Sequence, residues 1–214
     1  MADLAVIRRL QSSALSAEEL EEIHRRHADD YRVQLGLVQH PRFPQSTALG
    51  ILSKLFAADL VRVIKNVKAN PYVRKKAELE FLQRYRRLAL GEKISLVKSA
   101  PNSLLLALTD EDQPPLLQAI LQNPNCSEEV VLRFVNRAAD RSRFYQAFDD
   151  TAWHQSPVVA EAVAHDPEAP VRALLKIVPH LGLTGLQRLY RDAATHPAVR
   201  ERIRAYLDGR GGNG

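Results

Sequence analysis

Three groups of residues in this chain have types and spacings that could do chemistry. Glu21-x-x-His24-x-x-His27 sets a carboxylate and two imidazoles along one helix face, and Glu-x-x-His is the spacing used by di-iron helix bundles. Such a site needs a second copy of the motif and further glutamates, and no second copy is found in the sequence. The expectation is therefore a surface helix without metal. His40, His165, His180 and His196 fall at or near expected helix ends, where an imidazole suits the free carbonyls, and none is assigned to a metal.

The second group is a basic run from Arg62 to Arg87 that includes Lys65, Lys68, Arg74, Lys75, Lys76, Arg84 and Arg86, interrupted by Glu78 and Glu80. On neighbouring helices these side chains would form a positive stripe able to neutralise phosphates. The plainer reading is a solvated helix face with local ion pairs. The third group is aromatic: Phe144, Tyr145, Phe148 and Trp153-His154 stand beside Arg141, Arg143, Asp149 and Asp150. Arg143, Tyr145 and Trp153 are the residues of a candidate protein interface, where Trp, Tyr and Arg are enriched. The plainer alternative is an irregular junction filled by large side chains.

The lone Cys126 excludes an intramolecular disulfide and supplies no metal-binding cluster, and a packed thiol in a reducing compartment is expected. Gly-rich phosphate loops, nucleophile elbows and Cys/His metal sets are missing from the sequence. The expectation is a protein without catalytic residues, cofactor or small-molecule substrate. With 214 residues, 45% hydrophobic and 26% charged, the composition is that of an ordinary folded protein. A net charge of +5 permits an acidic partner without demanding one. The start, MADLAVIRRLQSS, lacks the pattern of a secretory signal and no window has the length of a membrane span, so a cytoplasmic location is expected.

The elements that must position these groups repeat. Residues 41–84 can be laid without gaps on 167–210, an offset of 126. Pro41, Pro44, Ile51, Leu55 and Leu60 then fall on Pro167, Pro170, Ile177, Leu181 and Leu186. Arg62, Pro71, Val73 and Arg74 fall on Arg188, Pro197, Val199 and Arg200. A third copy, Leu116 to Arg137, matches Val159 to His180 at an offset of 43. Each unit reads as an apolar helix, a His, Asn or Asp before proline, and a second apolar helix. The residue before proline is pushed out of helical geometry, so the first helix must stop there. One such pair cannot bury its own apolar faces, and neighbouring pairs have to stack. Arginines kept in both copies are expected to bind helix ends or nearby carboxylates. Lys65, Lys68, Lys75 and Lys76, opposite Arg191, Ala194, Glu201 and Arg202, are the better candidates for a partner surface.

Local signals add detail. Ser16 with Glu19 has the capping-box form, Asp29 or Asp30 can cap the next helix, and Asn125 with Glu128 reads as a second capping box. A helix is expected from Pro44 to near Phe56, two short ones over 90–99 and 102–108, and one from Arg141 to Asp150. No stretch reads as a strand.

NPNCSEEVVLRFVNR, DPEAPVRALLKIVPHL and HPRFPQSTALGILSKL resemble leucine-rich repeat variant and HEAT-like units, bacterial α-solenoid repeats, and NPYVRKKA and HPAVRERI are similar to the start of a HEAT helix. The resemblance covers most of residues 31–208. It implies an all-α fold, a short HEAT-like solenoid of stacked helix pairs, and a role as an interaction scaffold. The expected organisation is an N-terminal helical cap at 1–30, a repeat body at 31–208 and a flexible Gly-rich tail at 209–214. The expected function is binding of a protein or peptide partner on the helical surface. The alternative is a nucleic-acid-binding solenoid using residues 62–87, with HEAT-like DNA glycosylase activity a distant third.

Overall fold

The computed structural model describes residues 4–137 and 140–211. Among these residues the secondary structure is helical throughout, with no strand. The chain forms two compact units, Met1–Leu96 and Val97–Gly214.

In the first unit α1 (Leu4–Arg9) and α2 (Ala17–Arg26) lead into α3 (Tyr31–Val38), α4 (Gln45–Leu52), α5 (Ala57–Lys65) and α6 (Pro71–Tyr85). The starts of these helices have local causes. Ser16 Oγ accepts from Glu19 N at 3.2 Å while Glu19 Oε2 accepts from Ser16 N at 2.9 Å, a complete capping box. Asp30 caps α3 by accepting from the N–H groups of Arg32 and Val33. Asn70 accepts from Tyr72 N, and Pro71 takes the first helical position, where its missing N–H costs nothing. The core is made by Leu20, Val33, Leu37, Leu60, Val73 and Phe81, all buried. The inner face of α6, through Val73, Ala77, Phe81 and Tyr85, packs on α4 and α5. Arg84 ties the same helix to the end of α4. Its guanidinium donates to the carbonyls of Leu52, Ser53 and Leu55 and is held by Glu80.

Helix α7 (Leu90–Val97) is followed by α8 (Asn102–Ala107), α9 (Pro114–Leu121), α10 (Glu128–Arg137) and α11 (Arg141–Phe148). After a 3₁₀ turn at Trp153–Gln155 come α12 (Pro157–His165), α13 (Val171–Ile177), a second 3₁₀ turn at Val178–His180, α14 (Leu183–Arg191) and α15 (Pro197–Gly211). Helix α15 thus takes in the first glycines of the tail, and residues 212–214 lie outside the described residues.

Two details differ from the sequence reading. Helix α4 stops at Leu52, so Phe56 lies outside it, at the residue before α5. Asn125 does not cap α10, which begins at Glu128. The Asn125 amide instead donates to the Ala100 carbonyl at 3.1 Å, because the nearby turn brings that acceptor within reach.

Helix bounds recur at the two offsets. The ends of α5 and α14, and of α6 and α15, are 126 residues apart at both termini, and α3 and α12, like α4 and α13, begin 126 apart. The starts of α9 and α10 precede those of α12 and α13 by 43. Packing corresponds as well: α3 on α4, α4 on α6 and α5 on α6 in the first block, α12 on α13, α13 on α15 and α14 on α15 in the last. Ile51, Leu55, Leu60 and Val73 are buried, as are Ile177, Leu181, Leu186 and Val199.

Candidate functional site

The polar residues before the prolines serve the turns. His40, Asn123 and Asp166 each use a side-chain acceptor to take the backbone N–H two residues ahead, at Arg42, Asn125 and Glu168. Asn66 and Asp192 do the same at Lys68 and Ala194, and Asn70 and His196 at Tyr72 and Ala198. This is the Asx-type turn, in which a short polar side chain replaces the missing helical partner. The remaining atoms of His40, Asn66, Asn123 and Asp166 reach other segments. His40 Nε2 meets the Ser12 carbonyl at 3.0 Å, and Asn66 Nδ2 donates to Gln39 O at 3.1 Å. Asn123 Nδ2 donates to the carbonyls of Val97 and Ala100. Since Arg42 N donates to His40 Nδ1, the His40 proton is assigned to Nε2, pointing at Ser12.

At Asp166 the same geometry gathers the aromatic group. The Tyr145 hydroxyl donates to Asp166 Oδ2 at 2.7 Å and Arg141 Nη1 lies 3.2 Å from that oxygen. Tyr145 is 3% exposed and the Asp166 side chain 3%, so this trio belongs to the packing between α11 and the α12–α13 turn. Burial first, and the Asp166 carboxylate second, push the Tyr145 hydroxyl far above the usual tyrosine range. It stays a proton donor and cannot act as a base near neutrality. Phe144 and Phe148 are fully buried beside it. Trp153 is half-buried and its indole N–H donates to Leu121 O at 2.8 Å, closing the C-terminal end of α9. Arg143 is the exposed member, paired with Asp112 at 3.0 Å and Asp140 at 3.1 Å. A cavity of about 500 Å³ opens beside this cluster, where Asp149 is paired with Arg172 and Lys176, both at 3.0 Å. Each of these charges has its counter-charge in place.

The basic run behaves differently from member to member. Arg62 pairs with Asp59 at 3.0 Å, and Arg74 Nε donates to the Ile64 carbonyl at 3.0 Å. Its counterpart Arg200 likewise donates to Thr195 O, while Arg188 lies 3.9 Å from Glu161. At Gly185, the copy of Asp59, a Cβ would meet that Glu161 carboxylate, the mobile end of its side chain. Lys75 pairs with Glu78 at 3.1 Å, and Lys76 Nζ lies over the Tyr72 ring, 5.5 Å from its centroid. Lys65 and Lys68 are exposed and have no ion-pair partner among the described residues. Lys68 borders a cavity of about 520 Å³ over Leu10, Gly36 and His40.

Charge is divided unevenly between the units. Met1–Leu96 has 17 Lys and Arg against 11 Asp and Glu, net +6, and Val97–Gly214 has 13 against 14, net −1. The first unit also exposes large apolar side chains, Val67 at 80%, Tyr72 at 47% and Leu79 at 45%. The sequence reading passes over Tyr72 and Leu79. Val67 reads from sequence as an apolar residue of the helix that carries Leu60, Val61 and Ile64, whereas that helix ends at Lys65 and leaves Val67 exposed. The signal for all three was in the alignment, where Ala193, Ala198 and Ala205 occupy the matching positions.

His24 is pinned by Gln34, with Nδ1 to Oε1 at 2.7 Å, and Gln34 Nε2 in turn donates to His27 O. Among the described residues no group of three His, Cys, Asp or Glu side chains could hold a metal ion. Burial pushes the half-buried Cys126 thiol up to about 12, leaving it in the unreactive protonated form. No described helix is long and apolar enough to cross a membrane. Neither a family model, nor a curated protein, nor a solved structure matches the chain.

Proposed function

We propose that this chain is a HEAT-like helical-repeat scaffold, stacked from related helix units, that binds a protein or peptide partner without itself doing catalysis. The observation that carries the reading is the recurrence of helix bounds at the offsets of 126 and 43, with the same turn chemistry at His40, Asn123 and Asp166. A unit reused in this way is an architecture for presenting surface. The engagement of Tyr145, Trp153, Asp149 and Asp166 within the packing adds support, because residues that could serve a reaction are already employed in holding helices. A cytoplasmic setting accords with the single, protonated Cys126 thiol. Affinity capture on the full chain, followed by titration of each recovered protein, tests the reading. A saturable partner is the expected result. Recovery of none, together with turnover of a substrate, would overturn it.

A second reading, nucleic-acid binding, is favoured by one observation, the unpaired Lys65 and Lys68 in a unit of net charge +6. Each phosphate neutralised on duplex DNA contributes a slope of about −0.9 in log K against log salt. Binding of a mixed duplex that weakens steeply with salt and is lost in Lys65→Glu/Lys68→Glu would establish this reading. Binding unchanged by the two reversals excludes these lysines as the site.

A further inference from the structure

Helix α6 has an outer face that its own fold does not explain. Tyr72, Lys75, Lys76, Leu79, Gln83 and Arg86 share it, spaced three, four and seven residues apart, opposite the buried Val73, Ala77, Phe81 and Tyr85. In α15, the helix with the same bounds 126 residues later, the positions matching the first five are Ala198, Glu201, Arg202, Ala205 and Gly209. The inner residues agree in character, Val73 with Val199 and Ala77 with Ile203, all four buried. Packing therefore sets the inner face of both helices, whereas the fold accepts alanine outside. Tyr72 and Leu79 leave apolar surface in water at positions where the other copy spares it.

We infer that the outer face of α6 docks an acidic amphipathic helix from a partner protein, with Tyr72 and Leu79 as its apolar anchors. This rests on the scaffold reading above and adds the place and the partner's chemistry. Seven residues of helix separate the anchors by about 10.5 Å, which matches apolar side chains seven apart on a helix lying alongside. The sign of the partner follows from the flanks. Lys76 already lies against Tyr72, Arg86 has no ion-pair partner among the described residues, and Lys75 is balanced only by the half-buried Glu78. The whole unit carries +6, so approach of an acidic segment is favoured over long range as well as at contact. A nucleic acid would use the lysines but gain little from Leu79, which offers no ring for a base to stack on.

The test is selection of a displayed library of random 20-residue peptides on the full chain. The selected peptide is then titrated by fluorescence anisotropy against the wild type, Tyr72→Ala/Leu79→Ala and Leu183→Ala. The alanines reproduce residues that the α15 copy already tolerates, and circular dichroism checks that helix content is kept. Leu183, exposed in the second unit, is the control. The expected result is enrichment of peptides with Asp or Glu beside bulky apolar residues at helical spacing. Their affinity should fall at least about tenfold in the double variant, as loss of two apolar anchors implies, and stay unchanged in the control. Selected peptides that lack acidic residues, or that bind the double variant equally well, would sink the α6 site and leave the scaffold reading standing. Failure to enrich any peptide, with salt-sensitive binding of a duplex in its place, removes both.

Discussion

Asp166 does three jobs with one carboxylate. Oδ1 accepts the Glu168 N–H and closes the turn before α13, while Oδ2 takes the Tyr145 hydroxyl and faces Arg141. Truncation would leave a buried hydroxyl and a largely covered guanidinium without their acceptor, and that loss exceeds the modest net worth of the bonds themselves. Asp166→Ala should cost about 3 kcal/mol of stability. Tyr145→Phe, which removes a single donor, should cost about 1 kcal/mol. Asp192→Ala is the comparison, because Asp192 makes the same turn at the surface with no such trio behind it. Urea denaturation of the three variants measures the order. Equal losses for Asp166→Ala and Asp192→Ala would show that the buried trio adds nothing beyond the turn.

At the scale of the element, the entry to α2 is set by Ser16 and Glu19. The backbone hydrogen bond from Ser16 holds the Glu19 carboxyl below its ordinary value of 4.5, with Arg9 assisting. A carboxylate whose folded value is depressed stabilises above its unfolded value, and that contribution fades as pH falls through the folded one. Amide exchange in the first turn of α2, read relative to the intrinsic rates at each pH, should therefore gain protection lost only below about pH 4.5 in the wild type. Ser16→Ala should lower stability by about 1 kcal/mol and flatten this acid response. An acid response as large in Ser16→Ala as in the wild type would assign it to some other group.

Helix bounds were legible because proline and its preceding residue are local signals: Pro71, Pro157 and Pro197 each open a helix where the sequence puts a break. Asn125 shows the limit. Its spacing to Glu128 has the capping form, yet the side chain prefers Ala100, an acceptor 25 residues away that no local window contains. Tyr145 and Trp153 likewise have partners that no local window contains. Their size and chemistry suit an interface, but their direction is decided by Asp166 and the Leu121 carbonyl, partners that only the folded chain brings near. Tyr72 and Leu79 were overlooked for the opposite reason, since an apolar residue on a helix is ordinarily taken for core until its face is known.

For the whole molecule, the proposed scaffold requires related helix blocks, each stabilised by its immediate neighbours. Ile51 and Ile177 hold matching buried positions in α4 and α13. Truncation of either to alanine should cost about 2 to 5 kcal/mol, through lost transfer energy and the cavity left behind. Where the losses appear is more informative than their size, because nearest-neighbour stabilisation confines damage to the block that carries it. Hydrogen exchange resolved along the chain for Ile177→Ala is the most direct measurement. The prediction is faster exchange in α12 to α15, with protection in α3 to α6 retained. A uniform loss of protection from α2 to α15 would contradict it, and the recurrence of helix bounds would then describe ancestry without describing how the chain is held together.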